Sequence, residues 1–104
     1  MIWFKDLFGN DVRLTDERRF HLETSHPEMV GQLEQIAKTL EAPERVVASL
    51  SDISVDLFYR YYSVTPVGGK YFCVVVKTLA NDAFVLTAYF TDSIKKGDTL
   101  WPEI

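Results

Sequence analysis

The spacing of apolar residues changes period twice along the chain. At the start, two short apolar runs, Ile2–Phe4 and Val12–Leu14, flank the turn-forming Gly9-Asn10-Asp11. This pattern predicts a hairpin or extended arm over residues 1–14. Thr15 then supplies an N-cap, and Asp16 and Glu17 put negative charge in the first turn, where the helix dipole favours it. A first helix is expected over Asp16–Thr24, with only Phe20 and Leu22 as apolar content. Ser25 and Glu28 stand at capping-box spacing, and Pro27 fits a first helical turn. Val30, Leu33, Ile36, Ala37 and Leu40 recur at helical spacing, so a second helix is expected over Pro27–Leu40. Glu34 and Lys38 form an i,i+4 pair on its wet side. Residues Pro43–Leu50, with Val46, Val47 and Leu50, read as one further helical turn.

Beyond Leu57 the pattern becomes strand-like. Leu57–Ser63 is rich in aromatics, Tyr71–Leu79 is rich in valine, and Ala83–Thr91 alternates between residue types. Val67-Gly68-Gly69-Lys70 and Asn81-Asp82 are the turn signals between them, and a short fourth strand is expected near Thr99–Trp101. The expectation is a single domain over residues 1–104 of α+β class. Its N-terminal helices would pack on one face of an antiparallel sheet of about four strands. Leu33, Ile36, Leu40, Val74, Val76, Leu86 and Phe90 are the expected core. On the strand Ala83–Thr91, strict alternation turns Phe84, Leu86, Ala88 and Phe90 towards the helices. It turns Val85, Thr87, Tyr89 and Thr91 away from them. The same sheet carries Arg60, Tyr62 and Lys77. The hydroxyl row is either a solvated face, to which threonine is suited, or a binding face.

Charge sharpens this choice. The 104 residues carry a net charge of −4, which excludes a uniformly basic nucleic-acid binder but not a local basic patch. Acidic groups crowd residues 1–56, and basic groups slightly outnumber acidic ones in residues 57–104. An anionic ligand is therefore expected on the second half. The single cysteine, Cys73, lies in a run that reads as a buried strand, where it serves as a small hydrophobe. A free thiol, no signal-like start and no membrane-length apolar stretch point to the cytoplasm and to no membrane partner. The chain has no P-loop, no GxGxxG and no GxSxG. The only two histidines, His21 and His26, have no cysteine or histidine partners at metal-ligand spacing. Neither cofactor nor metal is expected.

Several segments taken together carry a resemblance. Val12-Arg13-Leu14-Thr15-Asp16-Glu17-Arg18 is followed by Phe20-His21-Leu22 and His26-Pro27-Glu28-Met29, then Thr39-Leu40, Pro43-Glu44-Arg45-Val46 and Ser49. Phe58-Tyr59-Arg60, Lys70-Tyr71, Val74-Val75-Val76-Lys77 and Leu86-Thr87-Ala88-Tyr89-Phe90-Thr91 complete it. The pattern resembles the phage-type branch of the barnase–EndoU–colicin–RelE group of nuclease-like domains, over about residues 12 to 102. The resemblance implies a toxin-like or phage-related protein that cleaves RNA without metal, by attack of the 2′-hydroxyl on the adjacent phosphate. RNA and an antitoxin protein are the partners it implies. It carries catalytic roles onto His21, Arg60, Thr87, Tyr89 and Thr91, with His26 as a secondary candidate, and the chemistry of such a cut adds Tyr62, Lys77 and Lys95 as further secondary candidates. His21 would transfer protons, Arg60 would grip phosphate, and Tyr62 or Tyr89 would stack a base. Two other readings stand beside it: a non-catalytic module of the same fold that binds protein or RNA, and a small structural or dimerisation domain.

Overall fold

The run Phe72–Val76 is buried at every position, on both sides of its strand. A strand with no wet face needs cover on both faces, and the architecture follows from that need. The structure, a computed structural model, describes residues 1–103. In chain order its elements are β1 (Ile2–Lys5), β2 (Asp11–Leu14), α1 (Asp16–Ser25), a 3₁₀ turn (Pro27–Met29) and α2 (Leu33–Glu41). There follow β3 (Arg45–Ala48), β4 (Val55–Tyr62), β5 (Lys70–Leu79), β6 (Asp82–Thr91) and β7 (Thr99–Trp101).

All these strands join one sheet in the order β1-β2-β6-β5-β4-β3-β7. Every pairing is antiparallel except β2 with β6, which run parallel where Arg13 stands opposite Phe84. The expected antiparallel sheet of about four strands is therefore corrected to a mixed sheet of seven. Two causes explain the difference. The N-terminal hairpin docks on β6 and extends the sheet instead of lying apart as an arm. Residues Pro43–Leu50 form β3 rather than a helical turn, because adjacent β-branched Val46 and Val47 suit an extended chain buried on both faces.

The helical half also differs in detail. Thr15 caps α1 as expected, its Oγ1 accepting from the Arg18 N–H at 3.1 Å. The helix expected over Pro27–Leu40 is interrupted. Gly31 adopts φ +81°, a conformation other residues rarely adopt, and divides the 3₁₀ turn from α2. Val30 is left exposed, while α2 buries Ile36, Thr39 and Leu40.

Two apolar layers result. Under the helices lie Val12, Leu14, Leu22, Met29, Ile36 and Leu40 with Phe58, Phe72, Val74, Val76, Val85 and Ala88. The opposite face holds Val47, Val55, Leu57, Tyr59, Cys73 and Val75, with Tyr71, Leu86, Tyr89 and Ile94 packed against them. A β-bulge decides which β6 residues go where. Val75 pairs with Thr87 but Val76 pairs with Val85, so Leu86 is the extra residue. Strict alternation fails there. Val85 enters the helix-side core, whereas Leu86 joins the opposite layer and Phe84 lies beneath the Arg13 guanidinium at 5.2 Å. These are corrections to the faces expected for Phe84, Val85 and Leu86. The bulge exposes the Leu86 carbonyl, and Arg18 of α1 satisfies it with two donors, Nε at 3.0 Å and Nη2 at 2.6 Å.

Arg18 thus ties α1 to the bulge with a charged, two-pronged hydrogen bond. Arg18→Ala is expected to cost about 1.5–3 kcal/mol, the usual range for a hydrogen bond to a charged group. Arg19→Ala, which loses only a surface contact with Glu23 at 3.5 Å, should stay within about 0.5 kcal/mol. Urea denaturation of both variants checks this. Equal costs at the two positions would contradict it.

Candidate functional site

The face away from the helices is not a flat wet surface. Val55 and Leu57 of β4, Val75 of β5 and Thr87 and Tyr89 of β6 line a groove of about 550 Å³. One wall is the loop of Ser49–Asp52, and the other is Lys95 and Lys96. This volume falls in the usual range of small-molecule sites. The groove exists because the segment joining β6 to β7 folds back over the sheet. Ile94 packs on the second apolar layer, and the Lys95 backbone N–H donates to the Tyr59 hydroxyl at 3.1 Å. The Ala48 N–H donates to the Asp98 carbonyl at 2.9 Å. Gly97 is required there: a Cβ would stand 2.2 Å from the Ala48 carbonyl oxygen and 2.6 Å from Val47.

The facing loop is held by Asp52. Its carboxylate accepts from the Ser54 hydroxyl at 2.6 Å, the Ser54 N–H at 3.0 Å and the Lys77 ammonium at 3.2 Å. The Ser54 hydroxyl, then its N–H, then Lys77 hold the Asp52 carboxyl down at about 2. Lys77 is therefore committed to Asp52. Lys95 and Lys96 are exposed and, among the described residues, stand in no ion pair.

Beneath the groove Cys73 is fully buried beside the phenols of Tyr59 and Tyr89. Burial, above all, pushes the thiol up to about 11 and the Tyr59 phenol up to about 12. Burial likewise raises Tyr89, with Cys73 adding to it. These groups are neutral near pH 7 and act there as hydrogen-bonding partners, not as acids or bases.

The candidate residues do not all meet. Thr87, Tyr89 and Lys95 line the groove together. His26 is not among the lining residues but packs beside one of them, its ring 5.7 Å from that of Tyr89 and its Nδ1 3.8 Å from a Glu28 carboxylate oxygen. His21 is exposed on α1. Arg60 shares the helix side of β4 with Phe58, and its Nη1 donates to the Ala42 carbonyl at the end of α2. Tyr62 packs edge-on against Phe72 in the helix-side core. Thr91 exchanges hydrogen bonds with the Ser93 backbone, closing the turn after β6. Sequence reasoning missed Tyr59, Asp52 and Lys96. Ile94, an apolar residue between polar turn residues, was the signal that the segment is tethered to the sheet.

Among the described residues there is no group of three or more His, Cys, Asp or Glu placed to hold a metal ion. No helix among them is long and apolar enough to cross a membrane. Comparison with protein-family models, with characterised proteins and with solved structures finds no match.

The buried thiol gives a direct check on this face. Iodoacetamide at about pH 8 should leave Cys73 unmodified in the native protein and alkylate it fully once urea unfolds the chain, as mass spectrometry reads. Rapid alkylation of the native protein would show that the layer beneath the groove is open.

Proposed function

We propose that the protein is a non-catalytic binding module that holds a short stretch of single-stranded RNA in the groove between the Ser49–Asp52 loop and Lys95–Lys96. The observation that carries this reading is the pairing of an apolar floor with two unpaired ammonium groups on its rim. An unpaired base has an apolar, planar body and is linked to a phosphate, so both parts of the groove would be used. The Thr87 hydroxyl, between floor and rim, supplies a hydrogen-bonding group for a base edge or a sugar.

Binding is favoured over cleavage by placement. Attack by a 2′-hydroxyl needs a base for that hydroxyl, an acid for the leaving oxygen and support for the phosphate. Arg60 lies on the opposite face and is engaged with Ala42. His21 is not among the residues that line the groove, and the phenols and thiol nearest the floor hold their protons.

Fluorescence anisotropy with a labelled single-stranded RNA, in chelator and over a range of salt, tests the reading. Two neutralised phosphates give a slope of about −1.4 in log affinity against log salt, from about −0.7 for each. The double variant Lys95→Glu, Lys96→Glu should lose at least about tenfold in affinity and most of that slope, with its melting temperature kept. Absence of binding by the wild type, or an unaffected variant, would overturn the reading. Appearance of RNA fragments that His26→Ala abolishes would replace it with a ribonuclease.

A further inference from the structure

The segment that carries both rim lysines lacks regular structure from Ser93 to Asp98, yet it is held against the sheet at defined points. Ile94 anchors it through apolar contact, Gly97 through close approach to β3, and Asp98 through the Ala48 N–H. The polar anchor nearest the lysines is the Tyr59 hydroxyl, which accepts from the backbone N–H of Lys95. Tyr59 is fully buried, so its ring is fixed by packing and its hydroxyl is a rigid post. Its edge-on contact with Tyr71, ring centroids 6.4 Å apart, adds to that rigidity.

The geometry points to Tyr59 as the positioning residue of the groove. Its hydroxyl fixes the backbone at Lys95, and thereby the height at which the Lys95 and Lys96 ammonium groups meet phosphate. This inference rests on the reading of the groove as an RNA site. Tyr59 touches no RNA itself and acts through the lysines. Without the hydroxyl, the segment stays tethered by Ile94 and Asp98 but loses its fixed point at Lys95. The lysines then sample positions away from the groove, and ordering them on binding costs affinity.

The test is Tyr59→Phe, which keeps the ring and removes only the hydroxyl. It is measured by the same anisotropy titrations over a range of salt, alone and combined with Lys95→Ala. We expect affinity to fall about five- to tenfold, the equivalent of one hydrogen bond, and the salt slope to shrink towards that of Lys95→Ala. In the Lys95→Ala background the same change should cost less, because one of the two groups it positions is gone. Gly97→Ala, which must displace the segment from the Ala48 carbonyl, should reproduce the reduced slope from the other end. A merely structural role would lower stability without changing the salt slope. If the wild type binds RNA and Tyr59→Phe binds it with unchanged affinity and slope, or if its cost adds fully to that of Lys95→Ala, the inference is overturned while the groove reading stands. If the wild type binds no RNA, the groove reading falls and the inference falls with it.

Discussion

Burial of β5 on both faces dictates where every other element must lie. Alternate residues of a strand point to opposite faces, so a strand that is apolar at every position from Phe72 to Val76 must be dry on both. One cover is helical and comes from α1, the 3₁₀ turn and α2. The other is thin: side chains of the sheet itself, closed by Ile94 from the segment after β6. The thin cover leaves a gap above Leu57, Val75 and Thr87, and that gap is the groove. The site is therefore a consequence of how the second face is closed, with helices on only one side.

The chemistry of the groove follows from the same arrangement. Closing the face with a polar segment brings Lys95 and Lys96 to the rim of an apolar floor, with no acid paired to either among the described residues. Most other cations on and around the sheet are engaged, Arg13 by Asp82, Lys77 by Asp52, Lys70 by Asp92, and Arg18 and Arg60 by backbone carbonyls, whereas Arg45 of β3 is exposed and, among the described residues, stands in no ion pair. The Lys95 and Lys96 charges, held beside an apolar floor, can thus matter on a chain whose net charge is −4. Burial keeps the polar groups below the floor uncharged, so the field at the groove comes from its rim.

Individual elements were legible where local signals were strong, although the sheet they form was not. Thr15 with Asp16 and Glu17 marked the start of α1, and Gly-rich or Asn-Asp turns marked the hairpins around β5. What failed was information held between strands. Val46 and Val47 looked helical because the reason for an extended chain lies in their pairing with β4 on one side and with the sequence-distant β7 on the other, which the local pattern does not show. The bulge at Leu86 is invisible to alternation within one strand, since it is defined by the register against Val75 and Val76. The same limit applies to the site. Thr87, Tyr89 and Lys95 were legible as a hydroxyl row followed by cations. Arg60 was grouped with them because one sheet carries them all, although the pairing register places it on the other side. Tyr59 escaped notice because its role depends on a backbone N–H that returns from Lys95.

As proposed, ligand occupies the face closed by the Lys95–Lys96 segment and not the helical face. Methyl and amide NMR spectra of the protein titrated with a short single-stranded RNA test it most directly. Shifts are expected to concentrate at Val55, Leu57, Val75, Thr87 and Lys95, with Leu22, Ile36 and Leu40 unmoved. Shifts concentrated on the helical side, or a spectrum that RNA leaves unchanged, would contradict it.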